Sequence, residues 1–209
     1  MAGGDVLSTR EGKARLPLLS VEDMSPEQRA VYEKVVGGRR GKMIGPLRAA
    51  LHSPDLAPLW AKFGEFLRYN TVLPDQASEL AILTCGRRWS SHVEWWAHAN
   101  AALDAGLSPT IIDAIAACQP PIFDEQSLLD VYEFARVLQQ QGRVPLSLHD
   151  QIKVRWGARG VVELTALIGY YNLVAMTLNA HEIPLPDDVE PVFEDGEGLI
   201  DLPAGKLVE

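Results

Sequence analysis

Apolar side chains recur at helical spacing along most of the chain. Residues 55–69 give the clearest case, because their large apolar side chains follow an i, i+3, i+4 pattern that places them on one helix face. These side chains are Leu56, Leu59, Trp60, Phe63, Phe66 and Leu67. Prolines and glycines separate this segment from similar ones. The pattern predicts an all-α fold without strands, with helices over 26–36, 55–69, 75–89, 91–105, 109–117, 125–141, 147–156 and 161–180.

The last of these helices, 161–180, is apolar nearly all round. A helix of this kind lies at the centre of a bundle or at a subunit interface. Its opening, ELTAL at 163–167, is similar to ELAIL at 79–83 in an earlier helix. This repetition indicates a duplicated helical unit.

Composition narrows the classes of function. The 209-residue chain is 47% hydrophobic and carries a formal net charge of −9. An acidic chain is a poor partner for nucleic acid or for an anionic membrane surface. No stretch approaches the roughly 20 apolar residues of a membrane span, and the N-terminus lacks the apolar region of a signal peptide. We therefore expect a cytoplasmic protein without nucleic-acid or membrane partners.

The chemistry-bearing residues concentrate in SSHVEWWAHANAALDAGLS at 90–108. On a helix Ser91, Glu94 and His98 share one stripe, whereas His92 lies elsewhere around it. A glutamate beside a histidine forms an acid–base pair, although the same spacing also produces surface ion pairs. The surrounding tryptophans and alanines favour burial. His92, Glu94 and His98 do not match a metal-ligand motif, so no metal site is expected.

The run ELAILTCGRRWSSHVEWWAHANAALDAGLSPTIIDAI at 79–115 resembles the carboxymuconolactone decarboxylase family, which includes AhpD-type alkylhydroperoxidases. The segments 52–74 and 161–186 are similar to the lead-in and closing helix of that family. The resemblance covers roughly 45–186 and implies an AhpD-like helical bundle over that range. It leaves an N-terminal extension with one helix at 1–44 and an acidic C-terminal tail at 187–209.

The redox branch of this family carries a glutamate, a CxxC pair and a histidine. The resemblance places Glu79 and His98, 19 positions apart, on the glutamate and the histidine. The two thiol positions are occupied by Ser91 and Glu94. The two cysteines of the chain, Cys85 and Cys118, lie outside the motif. Without a peroxidatic and a resolving thiol the disulfide cycle cannot run.

Glu79, Glu94 and His98 remain as candidate catalytic residues, and two carboxyl groups with one imidazole suit proton transfer. The decarboxylase for which the family is named removes CO₂ from a lactone acid and requires no metal or organic cofactor. The resemblance implies that His98 is a general acid held by Glu94 or Glu79, in a trimer or hexamer. Candidate substrate-binding residues are Ser91, Arg87, Arg88, Tyr170, Tyr171 and Asn172.

Three hypotheses follow. The first is a cofactor-free, decarboxylase-like lyase that acts by proton transfer on a small cyclic carboxylated or lactone-type substrate. The second is an AhpD-like peroxidase, with peroxiredoxin-type activity through a non-standard thiol. The third is a non-catalytic oligomer that binds a ligand in a relic pocket.

Overall fold

The computed structural model describes residues 14–38, 41–43, 45–194 and 198–208. The helices and strands in these residues are α1 Pro26–Val36, α2 Pro46–Ala50, α3 Leu56–Tyr69, α4 Asp75–Arg88, α5 His92–Asp104, α6 Pro109–Ala116, β1 Ile122–Phe123, α7 Gln126–Gln141, α8 Leu146–Ala180 and β2 Lys206–Leu207. The predicted all-α class is confirmed.

The chain forms two compact units. The first comprises Met1–Asn70 with Met176–Glu190, and the second comprises Thr71–Ala175 with Pro191–Glu209. All the candidate site residues lie in the second unit. The domain boundaries expected at 45 and 187 stay a prediction, and residues 1–13 of the extension lie outside the described residues.

In the first unit, α1 begins as predicted. Ser25 caps the helix, with its side chain accepting a hydrogen bond from the Gln28 backbone, and Pro26 occupies the first turn. The apolar face predicted for α3 is only partly buried. Trp60 and Leu67 are buried, whereas the other large apolar residues of that pattern are 40–68% exposed. Neighbouring elements therefore cover only one edge of this apolar face.

Helix α4 is at the centre of the second unit. It packs against α5, α6 and α7, and from Ala77 to Arg88 every side chain is buried. Leu80 and Leu83 are fully buried, and Tyr132 and Phe134 of α7 are at most 2% exposed. Because α4 is enclosed on all sides, polar side chains that it carries are held in fixed positions within the core.

The two helices predicted over 147–156 and 161–180 form one element, α8, which is interrupted only at Gly157 (φ 68°, ψ −177°). This backbone conformation requires glycine. Gly160 was predicted to lie in the break but belongs to the helix, where a Cβ would lie 2.2 Å from the Cβ of Trp156. By length and composition α8 could cross a membrane, but 56% of its most apolar window is buried inside the protein, as in the core helix of a soluble protein.

The prediction of no strands is wrong at four residues. β1 and β2 pair in parallel, and Lys206 donates a backbone hydrogen bond to Pro121 at 2.9 Å. Nearby, the Tyr132 hydroxyl donates to the Pro203 carbonyl at 2.7 Å. A two-residue ladder is too short to leave the alternating pattern by which strands are recognised.

Candidate active site

A tight turn joins α4 to α5. The Ser91 N–H donates to the Gly86 carbonyl at 2.8 Å and the Ser90 N–H donates to the Arg87 carbonyl at 3.0 Å. This is the Schellman arrangement that ends many helices. Ser90 occupies the left-handed position (φ 46°) usually taken by glycine. The Ser90 hydroxyl accepts a hydrogen bond from Arg87 Nη1 at 3.1 Å, and the next residue, Ser91, is the N-cap of α5.

The turn sends α5 back along α4, so that residues equally far from it face each other. Glu79 and His98 are such a pair. Glu79 Oε2 lies 2.6 Å from His98 Nδ1, and the two residues are only 9% and 6% exposed. A short, buried hydrogen bond between a carboxylate and an imidazole fixes the orientation of the ring. The separation of 19 residues thus becomes a direct contact.

Two tyrosines of α8 extend this contact. The Tyr171 ring meets the His98 ring edge-on, with centroids 4.9 Å apart. Tyr170 contacts Tyr171 in the same way at 5.4 Å. Both tyrosines are buried. Tyr171 therefore lies beside the imidazole, and Tyr170 lies behind it as a contact of Tyr171.

Glu94 and Ser91 occupy the first turn of α5 in a different environment. They are 2% and 0% exposed, and neither the Ser91 hydroxyl nor either Glu94 carboxyl oxygen has a hydrogen-bond partner among the described residues. The Glu94 carboxyl lies against Gly86, where a Cβ would come within 3.3 Å of Oε1. Burial raises the pKa of the Glu94 carboxyl well above its ordinary range, which favours the neutral acid.

The sequence left open whether Glu79 or Glu94 holds His98. The structure assigns that contact to Glu79. Glu94 shares a helix with His98, but its carboxyl makes no hydrogen bond to the imidazole. The i,i+4 pair of Glu94 and His98 is therefore not the acid–base pair.

The other predicted substrate-binding residues have structural partners. Arg87 Nε donates to the Ala116 carbonyl at 2.8 Å. Arg88 Nη1 donates to the Ile200 carbonyl at 2.8 Å and to Asp201 at 3.0 Å. Asn172 donates to the Ile168 carbonyl at 2.7 Å, and its carbonyl oxygen accepts a hydrogen bond from Trp89. These contacts hold helices and the C-terminal segment together.

Both cysteines are free, and Cys85 lacks the environment of a reactive thiol. Cys85 is fully buried, and its pKa is raised well above the ordinary value, mainly by burial and secondly by the proximity of Glu94. Its Sγ lies 3.8 Å from the Ile168 carbonyl oxygen. Cys118 is half-buried and follows α6 in a left-handed conformation (φ 52°). A nucleophilic thiol needs a lowered pKa and access to its partner.

Phe193 is a contact residue that the sequence did not reveal. Its ring stacks on His92 at 4.7 Å between centroids, meets the edge of Trp95 at 5.4 Å and lies 4.4 Å from the Arg87 guanidinium carbon. A cavity of about 410 Å³ adjoins it. The cavity is lined by His92, Pro191, Val192, Phe193 and Glu194. The only sequence signal was a single aromatic residue in an acidic segment.

Comparison of the structure with known structures identifies the architecture. The AhpD core of an uncharacterized peroxidase-related protein from Ralstonia eutropha JMP134 matches with a TM-score of 0.68 and 13% identity, over 85% of this chain and 94% of that one. The chain has the AhpD-like all-α fold. A peroxidase-related protein from Silicibacter sp. TM1040 matches with a TM-score of 0.67 and 12% identity, over 87% of this chain and 96% of that one.

A third similar structure is the debrominase Bmp8, in a variant bound to 2,3,4-tribromopyrrole. It matches with a TM-score of 0.56 and 11% identity, over 87% of this chain and 95% of that one. No protein-family model and no curated protein matches the sequence. The structural similarity therefore establishes the fold, and the activity must be argued from the site itself.

Proposed function

We propose that this protein is a cofactor-free acid–base enzyme that transfers a proton at a carbon atom of a small cyclic carboxylated or lactone-type substrate. The buried Glu79–His98 pair, 2.6 Å between Oε2 and Nδ1, is the observation that carries this proposal. With Nδ1 bonded to Glu79, Nε2 is the atom of the imidazole that exchanges a proton with the substrate. Histidine is suited to this role because it changes protonation near neutral pH.

The reaction is a decarboxylation followed by protonation. The bond between the ring carbon and the carboxylate breaks, CO₂ leaves, and the electron pair enters the conjugated lactone carbonyl as an enolate. Protonated His98 then delivers its Nε2 proton to carbon, and the imidazole recovers a proton from water. The enolate oxygen needs hydrogen-bond donors, for which Ser91 and the neutral acid of Glu94 are available.

The peroxidase alternative is favoured by the description of two structural neighbours as peroxidase-related. It requires a thiolate that attacks the peroxide and a second thiol that resolves the product. Cys85 opposes this role because it is buried and its thiol pKa is raised. Proton transfer uses the polar groups of the site and needs no thiol. We therefore prefer this hypothesis to the peroxidase and to the non-catalytic ligand-binding oligomer.

Solvent deuterium exchange tests the proposal without knowledge of the natural substrate. Unsaturated γ-lactones, with and without a ring carboxylate, are incubated with the enzyme in D₂O and followed by proton NMR. We expect enzyme-dependent deuterium uptake at the carbon next to the conjugated system, and loss of that uptake in His98→Ala. The partly exposed His149 provides the matched control, since His149→Ala leaves the site intact.

The same preparations separate the alternatives. Cys85→Ser with Cys118→Ser should retain deuterium uptake, whereas a peroxidase would lose thiol-dependent reduction of cumene hydroperoxide. Peroxide reduction that disappears in the double variant, with no lactone exchange in the unmodified protein, would establish the peroxidase. If the protein shows neither activity and still binds a ligand in His98→Ala, the result would favour the non-catalytic oligomer.

We also propose a cytoplasmic homo-oligomer, a trimer or hexamer. Its support is the exposed apolar surface of α8, where Val162, Leu173 and Met176 are 43–67% exposed. Apolar side chains of this kind in one helix mark a contact surface. Light scattering coupled to size-exclusion chromatography measures the assembly, and a monomer at micromolar concentration would contradict it.

A further inference from the structure

The first turn of α5 contains polar groups that the protein itself does not satisfy. The Ser91 hydroxyl and both carboxyl oxygens of Glu94 are buried without a hydrogen-bond partner in the described structure. Burying a polar group without a partner costs free energy, and most buried polar groups are paired. Two adjacent exceptions in one turn indicate a position for a ligand.

The end of the helix reinforces this interpretation. The first backbone N–H groups of a helix have no acceptor within it, and the side chain of Ser91, the N-cap of α5, makes no capping hydrogen bond. Partial positive charge accumulates at this end of a 13-residue helix. The serine hydroxyl and a neutral carboxylic acid are hydrogen-bond donors, and donors at the positive end of a helix bind an anionic oxygen.

The packing of α4 keeps the Glu94 carboxyl in this position. Gly86 provides the space, because a Cβ there would come within 3.3 Å of Glu94 Oε1 and 3.5 Å of its Cγ. Arg87, the next residue on α4, donates to Ala116 and Ser90. The position of the Glu94 carboxyl is therefore set by its contact with a glycine of α4.

We propose that the first turn of α5 is an oxyanion site, in which the Ser91 hydroxyl and the Glu94 carboxylic acid bind a carboxylate or enolate oxygen of the substrate at the positive end of the helix. The proposal rests on the proposed function, because it assigns to that reaction the group that binds the anionic part of the substrate. It narrows the substrate class to molecules with an anionic oxygen, either present from the start or developed on a carbonyl during the reaction.

Binding of two probes distinguishes these sources of negative charge. The probe 5-oxotetrahydrofuran-2-carboxylate carries a carboxylate on a saturated lactone, and 4-nitrophenolate imitates an enolate oxygen. Isothermal titration calorimetry measures both at neutral pH, with the carboxamide of the first probe as an uncharged control. We expect at least one of the two anions to bind about tenfold or more tightly than the carboxamide, since hydrogen bonds to charged groups are the stronger ones.

Variants of the two side chains test the assignment. Ser91→Ala and Glu94→Ala should each lower the affinity for the anion by about tenfold or more. The affinity of Glu94→Gln should stay within about threefold of that of the unmodified protein, because the amide still donates a hydrogen bond. Ser108, the N-cap of α6, supplies a matched control, and Ser108→Ala should leave binding unchanged. Thermal unfolding of each variant separates lost binding from lost folding, and Ser91→Ala removes only one oxygen atom.

The outcomes separate this proposal from the proposed function. The oxyanion site would be overturned if neither anion binds, or if Ser91→Ala and Glu94→Ala bind the anion as tightly as the unmodified protein. Much tighter binding by Glu94→Gln would also overturn it, because that result would mean that Glu94 is ionised and repels the probe. His98→Ala should bind the anion normally but lose deuterium exchange. If exchange survives in His98→Ala while Ser91→Ala and Glu94→Ala lose binding, the oxyanion site stands and the proposed function fails.

Discussion

Glu79 and Glu94 are buried carboxyl groups on neighbouring helices, and their surroundings differ in one respect. The Glu79 carboxyl lies 2.6 Å from an imidazole nitrogen, whereas the Glu94 carboxyl has no hydrogen-bond partner in the part of the chain that the structure describes. Burial raises the pKa of the Glu94 carboxyl and favours the neutral acid there. One residue type thus supplies a group that holds a histidine and a group that donates to an anion, as in enzymes that separate two carboxyl groups by environment.

Distance from the α4–α5 turn explains the difference. Glu79 lies far enough from the turn to meet His98 across the antiparallel helices. Glu94 lies in the first turn of α5, where its carboxyl lies against Gly86, a residue without a side chain. We therefore expect substitutions at Glu79 and His98 to change the rate of proton transfer, and substitutions at Glu94 to change the stability and its pH dependence.

The largest effect is expected at the imidazole. His98→Ala should lower the rate of lactone deuterium exchange by about 10²- to 10⁴-fold, which is the usual contribution of a positioned acid–base group. NMR measurement of exchange at matched protein concentration tests this expectation, with His149→Ala as the control. Exchange within threefold of the unmodified protein would remove His98 from the mechanism.

A smaller effect is expected at its carboxylate partner. Glu79→Gln leaves the imidazole in place but replaces the acceptor that orients it, so exchange should fall about 10- to 100-fold. Glu163 offers a matched control at the similar position of α8, where it is buried and accepts hydrogen bonds from the Val72 backbone at 2.7 Å and Arg159 at 2.6 Å. Glu163→Gln should lower the free energy of unfolding without a specific loss of exchange. Equal losses of exchange in both variants would assign Glu79 a purely structural role.

The neutral acid predicts a pH dependence of stability. Because the folded pKa of Glu94 is raised, the unfolded chain loses its proton at about pH 4.3 while the folded protein retains it. The stability that this proton provides is complete below that pH and is lost as pH rises toward the folded pKa, by up to about 1.4 kcal/mol per pH unit. Glu94→Gln removes this dependence.

Urea unfolding between pH 5 and pH 8 measures the effect. The free energy of unfolding of Glu94→Gln should exceed that of the unmodified protein by a margin that grows with pH. Glu33 is an exposed glutamate of α1, and Glu33→Gln should show no such growth. A margin that stays constant across the range would show that Glu94 is ionised in the folded protein.

The sequence predicts the helices and the residues of the site better than it predicts their contacts. Apolar spacing identifies most helices, and the structural comparison confirms the fold class. The spacing of Glu79 and His98 predicts a contact only once the intervening turn is known. That turn depends on Ser90 in a left-handed conformation, which local propensity disfavours. Propensity alone therefore could not distinguish Glu79 from Glu94 as the partner of His98.

Other features depend on long-range packing, which leaves little local signal. The six apolar residues of α3 follow one helical pattern, yet neighbouring elements cover only the side with Trp60 and Leu67. Phe193 lies in an acidic segment without periodicity, but it contacts His92, Trp95 and Arg87. In both cases burial is determined by segments distant in sequence, and periodicity describes only the helix that carries the side chain.

The smallest predicted effect concerns the space beside Glu94. Alanine is favoured over glycine within a helix by about 1 kcal/mol. Gly169→Ala should gain stability of this order, because a Cβ there meets no atom within 4 Å. Gly86→Ala should gain less or lose stability, since its Cβ would press on the Glu94 carboxyl at 3.3 Å. Urea unfolding of the pair measures this difference, and combining Gly86→Ala with Glu94→Ala should restore the gain. Equal gains from both glycine variants would mean that Gly86 does not hold Glu94 in place, and the contrast between the two carboxyl groups would then depend on burial alone.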